Sequence, residues 1–199
     1  MSELRNYYLP KDFIETAEGL CFAVVQQGAE RCDGRDKVLC FLRYIKLDDE
    51  NNGQWHKVAT EPANEYLRKN FPKYLHHSAL LDADMHAVDV GDIVQHHSPR
   101  LRLQQILFRQ QRDKVEQDLY ELCFLFQQRG LDLTQTGVTG SILIGVQQQS
   151  SDIDLVFYNR KLFHQARAIT SALIDQSQLN ALSDQDWEAS YARRSCALT

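Results

Sequence analysis

The chain has 199 residues, with 22 Lys and Arg against 27 Asp and Glu for a net charge of −5, and 43% of its residues are hydrophobic. That length and apolar content support a real core in one ordinary domain or two small ones, and exclude a disordered or collagen-like chain. The acidic balance argues against a dedicated duplex-DNA binder, no apolar run approaches the ~18 residues of a membrane span, and the N-terminal MSELRNYYLPKDF lacks the apolar core of a signal peptide.

Residues 1–17 read as an extended or turn segment. Leu20–Val25 and Val38–Ile45 are rich in β-branched and aromatic residues, and the polar linker between them carries Gly28 and Gly34, so they read as paired strands. Asp48–Gly53 (DDENNG) is a turn signal, and Trp55–Thr60 is a candidate third strand. A short helix follows over 62–71, starting at Pro62 and stopping before Pro72. Residues 73–98, with the pairs His76–His77 and His96–His97, carry no clear periodicity. From Ser98–Pro99 a long helical pattern runs to Gly130, with Val115, Leu119, Leu122 and Phe126 on one face and Gly130 as the stop. A short strand through Gly137–Thr139, a Gly-Ser turn, a strand Ile153–Tyr158 and a helix Leu162–Leu173 come next. A polar helix around Trp187 and a frayed tail end the chain.

These elements imply an α+β protein: a small strand-rich N-terminal domain (1–98), then a core with a mixed sheet and flanking helices (99–199), possible incompleteness at its C-terminal end included in the expectation. Cys21, Cys32, Cys40, Cys123 and Cys196 include no C-x-x-C pair, so they read as reduced thiols of a cytoplasmic protein and not as a disulfide framework or zinc ribbon.

One stretch carries chemistry: TGVTGSILIGVQQQSSDIDLVFY, residues 136–158. Gly140 and Ser141 follow a strand, in a turn where an absent side chain lets backbone N–H groups approach a phosphate. After ten intervening residues Asp152, Ile153 and Asp154 open an apolar strand. Residues i and i+2 of a strand share a face, so the two carboxylates lie about 7 Å apart on one side, with Ile153 turned to the core. Such a pair suits Mg²⁺ (or Mn²⁺), which takes one or two carboxylates together with phosphate and water oxygens.

The G-S pair, its spacing and D-I-D-L resemble the signature of the DNA polymerase beta-like nucleotidyltransferase superfamily. The segments DFIETAEGLCFAV and KVLCFLRYIK are similar to a group of predicted nucleotidyltransferases, frequent in archaea, with a strand-rich domain ahead of the core. The resemblance implies an enzyme that moves a nucleoside monophosphate from an NTP to a hydroxyl acceptor. Gly140 and Ser141 would hold the β- and γ-phosphates, and Asp152 and Asp154 would be the catalytic metal ligands. The acceptor stays open: an RNA end, a protein or a small molecule.

One departure from the pattern is a third carboxylate on a later strand. Asp175, Asp184, Asp186 and Glu188 follow the helix, but SDQDWEASYARR reads as helical. This keeps a second reading open, a catalytically inactive nucleotide-sensing or partner-binding module on the same fold. The third acid is expected beyond Thr199, if anywhere.

The His pairs are weak zinc candidates, since adjacent histidines point apart in any regular element. Arg100, Arg102, Arg109, Arg112 and Lys114 read as a solvated helix face or as a strip for triphosphate or RNA. Phe124, Leu125 and Phe126 read as core, Trp187 as a packing anchor, Ser150 and Ser151 as loop residues, and Gly145 as a turn.

Overall fold

Apolar strand-like runs mark the first half of the chain, and 3.6-residue periodicity marks much of the second. A computed structural model describes residues 7–47 and 53–192. The predicted turn at Asp48–Gly53 therefore falls mostly outside the described residues, as do Cys196 and the end of the tail. The chain is α+β, as expected.

Strands β1 (Phe13–Thr16), β2 (Leu20–Val24), β3 (Glu30–Cys32), β4 (Arg35–Lys46), β5 (Trp55–Lys57), β6 (Leu75–Ser78), β7 (Ala83–Asp89) and β8 (Ile93–His97) form an eight-stranded sheet. Its order is β6-β7-β4-β2-β1-β8, every pairing is antiparallel, and β3 and β5 pair with opposite ends of β4. Helix α1 (Thr60–Asn70) buries Ala63 and Leu67 against one face, with Ile14, Phe22, Val38, Cys40, Leu42 and Val88. Asp33 and Gly34 link β3 to β4 with φ of 48° and 77°. Two consecutive positive φ values suit a tight hairpin between twisted strands, and Asp-Gly adopts them readily.

Strand β4 changes face in its middle. Val38, Cys40 and Leu42 point to the α1 core, and strict alternation would send Tyr44 there too. Instead Cys21 pairs with Tyr44 and Phe22 with Leu42, which leaves Arg43 without a partner on β2. This bulge returns Ile45 to the α1 core and puts Tyr44 on the opposite face with Phe13 and Cys21.

The second half begins with α2 (Pro99–Phe108), laid against β9 (Thr136–Thr139). A Cβ at Gly137 would lie 2.7 Å from the Pro99 carbonyl carbon and Cβ, so glycine permits this crossing. The helical pattern of residues 98–130 is broken into α2 and α3 (Lys114–Gln128). At the break, the Arg112 side chain donates to the carbonyls of Ile106 and Leu107, both at 2.8 Å, and Asp113 accepts from the Glu116 N–H at 2.9 Å. These bonds satisfy one helix's last carbonyls and the next helix's first N–H groups. Helix α3 ends at Gly130 (φ 78°), where Gly130 N–H donates to Gln127 and Leu131 N–H to Phe126. That is a Schellman ending, and Leu131 also packs on Phe126.

Val115, Leu119 and Phe126 are buried as the periodicity predicts. Phe124 is 49% exposed, contrary to its expected core role, because two residues along a helix turn it some 200° away from Phe126. Among the described residues, the sheet of this half is the antiparallel pair β9–β10 (Asp154–Phe157), with Asp154 opposite Thr139. Helix α4 (Arg160–Asp175) packs Leu162, Ala166 and Leu173 beside Phe126 and Leu131. Helix α5 (Asp184–Ala192) leaves Trp187 59% exposed, so it does not act as the expected anchor. No helix among the described residues is long and apolar enough to cross a membrane.

Candidate functional site

The Gly140–Ser141 turn is held from two sides. It forms one short 3-10 turn, Gly140–Ile144, directly after β9. Ile142 is buried among Leu103, Ile106, Leu119 and Val138, whereas Leu143 is buried against Phe13, Cys21 and Tyr44 of the large sheet. Arg102 donates to the Ile142 carbonyl at 2.9 Å, and Gly145 (φ 72°) closes the turn as expected. Thr139 Oγ1 donates to the Lys11 carbonyl at 2.9 Å. The turn thus joins the two halves of the chain, and its position is fixed by both.

Asp154 is the first residue of β10, and Asp152 lies in the segment that leads into it. The strand starts one residue later than expected, so Asp152 and Ile153 lie outside it, although Ile153 still packs on the second-half core. Both aspartates are exposed. A Cβ on Gly140 would stand only 2.6 Å from Asp154 Oδ2, and Gly140 has a φ of 70°. The glycine is therefore required twice, by its left-handed backbone and by the carboxylate pressed against it.

Gly140, Ser141, Asp152 and Asp154 all line one cleft of about 460 Å³. Ser150 and Ser151 line it as well; Ser151 Oγ accepts from the Gln148 N–H at 2.9 Å, the loop role expected of it. The opposite wall comes from the N-terminal sheet: Phe13, Arg43, Tyr44, Trp55, His56 and Lys57. Among the described residues, no carboxylate pairs with Arg43 or Lys57, and no cation pairs with Asp152 or Asp154. Burial pushes the Tyr44 hydroxyl above its usual range; Arg43 pulls it down, and the Asp154 carboxylate is among the groups that push it further up. The Tyr44 side chain is thus a neutral hydroxyl within the electrostatic reach of Asp154.

The sequence brought together the Gly-Ser turn and the two aspartates but missed the facing wall. Arg43 did leave a signal, a lone cation inside the apolar run VLCFLRYI. Lys57 and Trp55 lay on a short strand with nothing to mark them.

The other expectations resolve differently. Arg102 bonds Glu116 at 2.9 Å, and Arg109 meets the same buried carboxylate at 3.3 Å. Arg112 lies over Tyr120 at 3.9 Å, Arg100 over Tyr158 at 4.0 Å, and Lys114 bonds Asp118 at 2.5 Å. The basic segment is thus divided: Arg100, Arg102 and Arg112 are committed within the fold, while Arg109 and Lys114 have partners yet stay exposed, as a solvated face would. His76–His77 and His96–His97 sit on β6 and β8, at opposite ends of the sheet order. His96 bonds Asp12 at 2.7 Å and His97 bonds Glu15 at 2.5 Å, so these rings tie β8 to β1. Among the described residues, no three His, Cys, Asp or Glu side chains converge as a ready metal site. Asp175 ends α4, and Asp184, Asp186 and Glu188 lie on α5, helical as predicted. None of them lines the cleft. Asp186 accepts from Ser183 N–H at 3.0 Å and thereby caps α5. Cys21, Cys40 and Cys123 are buried free thiols, and burial pushes the Cys123 thiol up to about 12.

No protein-family model matches the chain, and no solved structure matches it significantly. An uncharacterized protein of the archaeon Methanocaldococcus jannaschii is 30% identical to it over 198 residues, covering 92% of this chain. The chain spans 57% of the length of that curated relative.

Proposed function

We propose that the chain is a cytoplasmic, metal-dependent nucleotidyltransferase that moves an NMP group from an NTP to a hydroxyl acceptor. One observation carries the reading: the Gly140–Ser141 turn and the Asp152/Asp154 pair, with ten residues between them in sequence, face one cleft with Arg43 and Lys57 opposite. An NTP presents several negative charges and many acceptor oxygens. Cations with no carboxylate partner among the described residues on one wall, and a glycine-bearing turn on the other, suit that ligand.

The donor set also fits a hard divalent cation. Asp152 and Asp154 offer two exposed carboxylates with no competing protein cation among the described residues, the number Mg²⁺ or Mn²⁺ accepts when phosphates and water supply the remaining oxygens. Bound there, the ion would offset charge on the phosphates and lower the cost of generating an attacking oxyanion. The chain's own groups do the positioning. Gly140 and Ser141 receive the β- and γ-phosphates, Arg43 and Lys57 balance the charge of the leaving pyrophosphate, and the buried turn holds this geometry before the ligand arrives. The acceptor oxygen forms a bond to the α-phosphorus as the bond to the β-phosphate oxygen breaks. Pyrophosphate leaves, and the hydroxyl proton passes to solvent.

A second reading has its own support. None of the candidate third acids lines the cleft, which favours a nucleotide-sensing or partner-binding module that binds without turnover. Electron paramagnetic resonance of free Mn²⁺, titrated with protein and a non-hydrolysable NTP against a protein-free solution of the same nucleotide, tests the shared core of both readings. The free-ion signal falls below that reference with the wild-type chain and matches it with Asp152→Asn or Asp154→Asn. An equal fall with all three proteins would refute the metal-ligand role. Pyrophosphate release then separates the enzyme from the module.

A further inference from the structure

A second, larger cavity of about 700 Å³ adjoins the cleft, sharing Phe13, Arg43, Gly140 and Asp154 with it. Its volume lies in the range of small-molecule sites. Beyond the shared end its character changes. Phe41 of β4, Phe157 of β10 and Phe163 of α4 line it together with Ala23 and Val156. Phe157 and Phe163 meet at a centroid distance of 6.1 Å, tilted by 59°. His86 contributes an uncharged wall, since its Nδ1 accepts from the Leu42 N–H at 2.8 Å and its Nε2 meets Asn64 Oδ1 at 2.7 Å. Lys11 lines this cavity and not the cleft. Among the described residues, Asp154 is its sole carboxylate.

Three acceptor classes can be weighed against this lining. A polycationic amino sugar needs several carboxylates, and the cavity offers one. An RNA end needs a basic track leading to the site, and none of the arginines of residues 100–112 lines the cavity or the cleft. A flat apolar body answers the aromatic walls, and an anionic substituent answers Lys11.

We propose that this cavity is the acceptor site, and that the acceptor is a small molecule with an aromatic body, a hydroxyl that reaches the shared end at Asp154, and an anionic group at Lys11. The proposal rests on the nucleotidyl-transfer reading of the adjoining cleft. The assigned arrangement puts the acceptor oxygen at the junction of the two cavities, where the α-phosphate lies when the outer phosphates sit on Gly140 and Ser141.

The test uses 6-hydroxy-2-naphthoate as a fluorescent probe and 2-naphthol as its uncharged counterpart. Wild-type protein binds the naphthoate saturably. Ala23→Trp, which fills the cavity, abolishes binding, while Lys11→Gln weakens the naphthoate about tenfold and leaves 2-naphthol unchanged. Lys11 is exposed, so its variant reports on the site even if the filled cavity disturbs folding. Asp154→Asn loses Mg²⁺-dependent NTP binding. No saturable binding to wild type, or binding indifferent to both Ala23→Trp and Lys11→Gln, overturns the proposal. If wild type binds the probe here but binds no NTP, the nucleotidyl-transfer reading fails and the aromatic-anion site stands without its acceptor role.

Discussion

Replacing Gly140 with alanine separates the two demands made on that residue. The new methyl carbon would lie 2.6 Å from Asp154 Oδ2, closer than real Cβ atoms approach a neighbour. The carboxylate is the end of a side chain, so it can swing aside; the backbone need not move. The left-handed backbone at φ 70° adds about 1–2 kcal/mol of strain for any residue with a Cβ. In a chain of this size that corresponds to a fall in Tm of roughly 2–8 °C. Gly130→Ala is the matched control: its φ is 78°, but nothing lies within 4 Å of the added carbon. Both variants should lose similar stability in thermal unfolding. Only Gly140→Ala should also lose Mg²⁺-dependent NTP affinity, because only there is a proposed metal ligand displaced. Equal affinity in both variants, or equal loss in both, would refute the argument that Gly140 exists to make room for the Asp154 carboxylate.

Other substitutions test the frame around the site. Glu116 is buried and carries both Arg102 and Arg109. Glu116→Ala should therefore cost about 3–5 kcal/mol in denaturant unfolding, since it strands a half-buried guanidinium. Arg109→Ala, at the exposed end of the network, should cost under about 1 kcal/mol. Gly137→Ala forces a methyl group into the Pro99 backbone and should cost about 1–3 kcal/mol or more, with no compensating side-chain motion available. Burial holds His86 at about 4, well below its ordinary 6.5, so the unfolded chain takes up this proton first as pH falls. The resulting stability is intact above pH 6.5 and is lost progressively towards pH 4, by roughly 3 kcal/mol. His86→Gln should flatten unfolding free energy across that window; an unchanged slope would show that His86 is not the group responsible.

Legibility in the sequence tracked the strength of local patterns. Strand β2 and the core of β4 are apolar enough to announce themselves, and the β9-turn-β10 segment carries a motif whose residues do meet in one cleft. Strands β6 and β8 were missed because both are short sheet-edge strands built on histidines and polar residues, with little alternation to detect. Hairpin β3–β4 was hidden in a polar linker, although Asp33–Gly34 is a recognised turn pair. The break between α2 and α3 left no proline or glycine; it depends on Arg112 reaching back to carbonyls of the preceding helix. The cleft's second wall was the least legible part. Alternation already sends Arg43 to the cleft face beside Phe41, but a bulge adds Tyr44 to that face, and no period-two reading of β4 can foresee such a change. Phe124 and Trp187 show the reverse error, large apolar side chains that remain largely exposed.

The most direct measurement is isothermal titration calorimetry of ATP, GTP, CTP and UTP, with and without Mg²⁺, on the wild-type chain and the Asp152→Asn/Asp154→Asn double variant. It requires no knowledge of the acceptor. The account predicts that at least one NTP binds the wild-type chain only when Mg²⁺ is present, and that this binding disappears in the double variant. Metal-independent binding, or binding unchanged by the loss of both carboxylates, would contradict it.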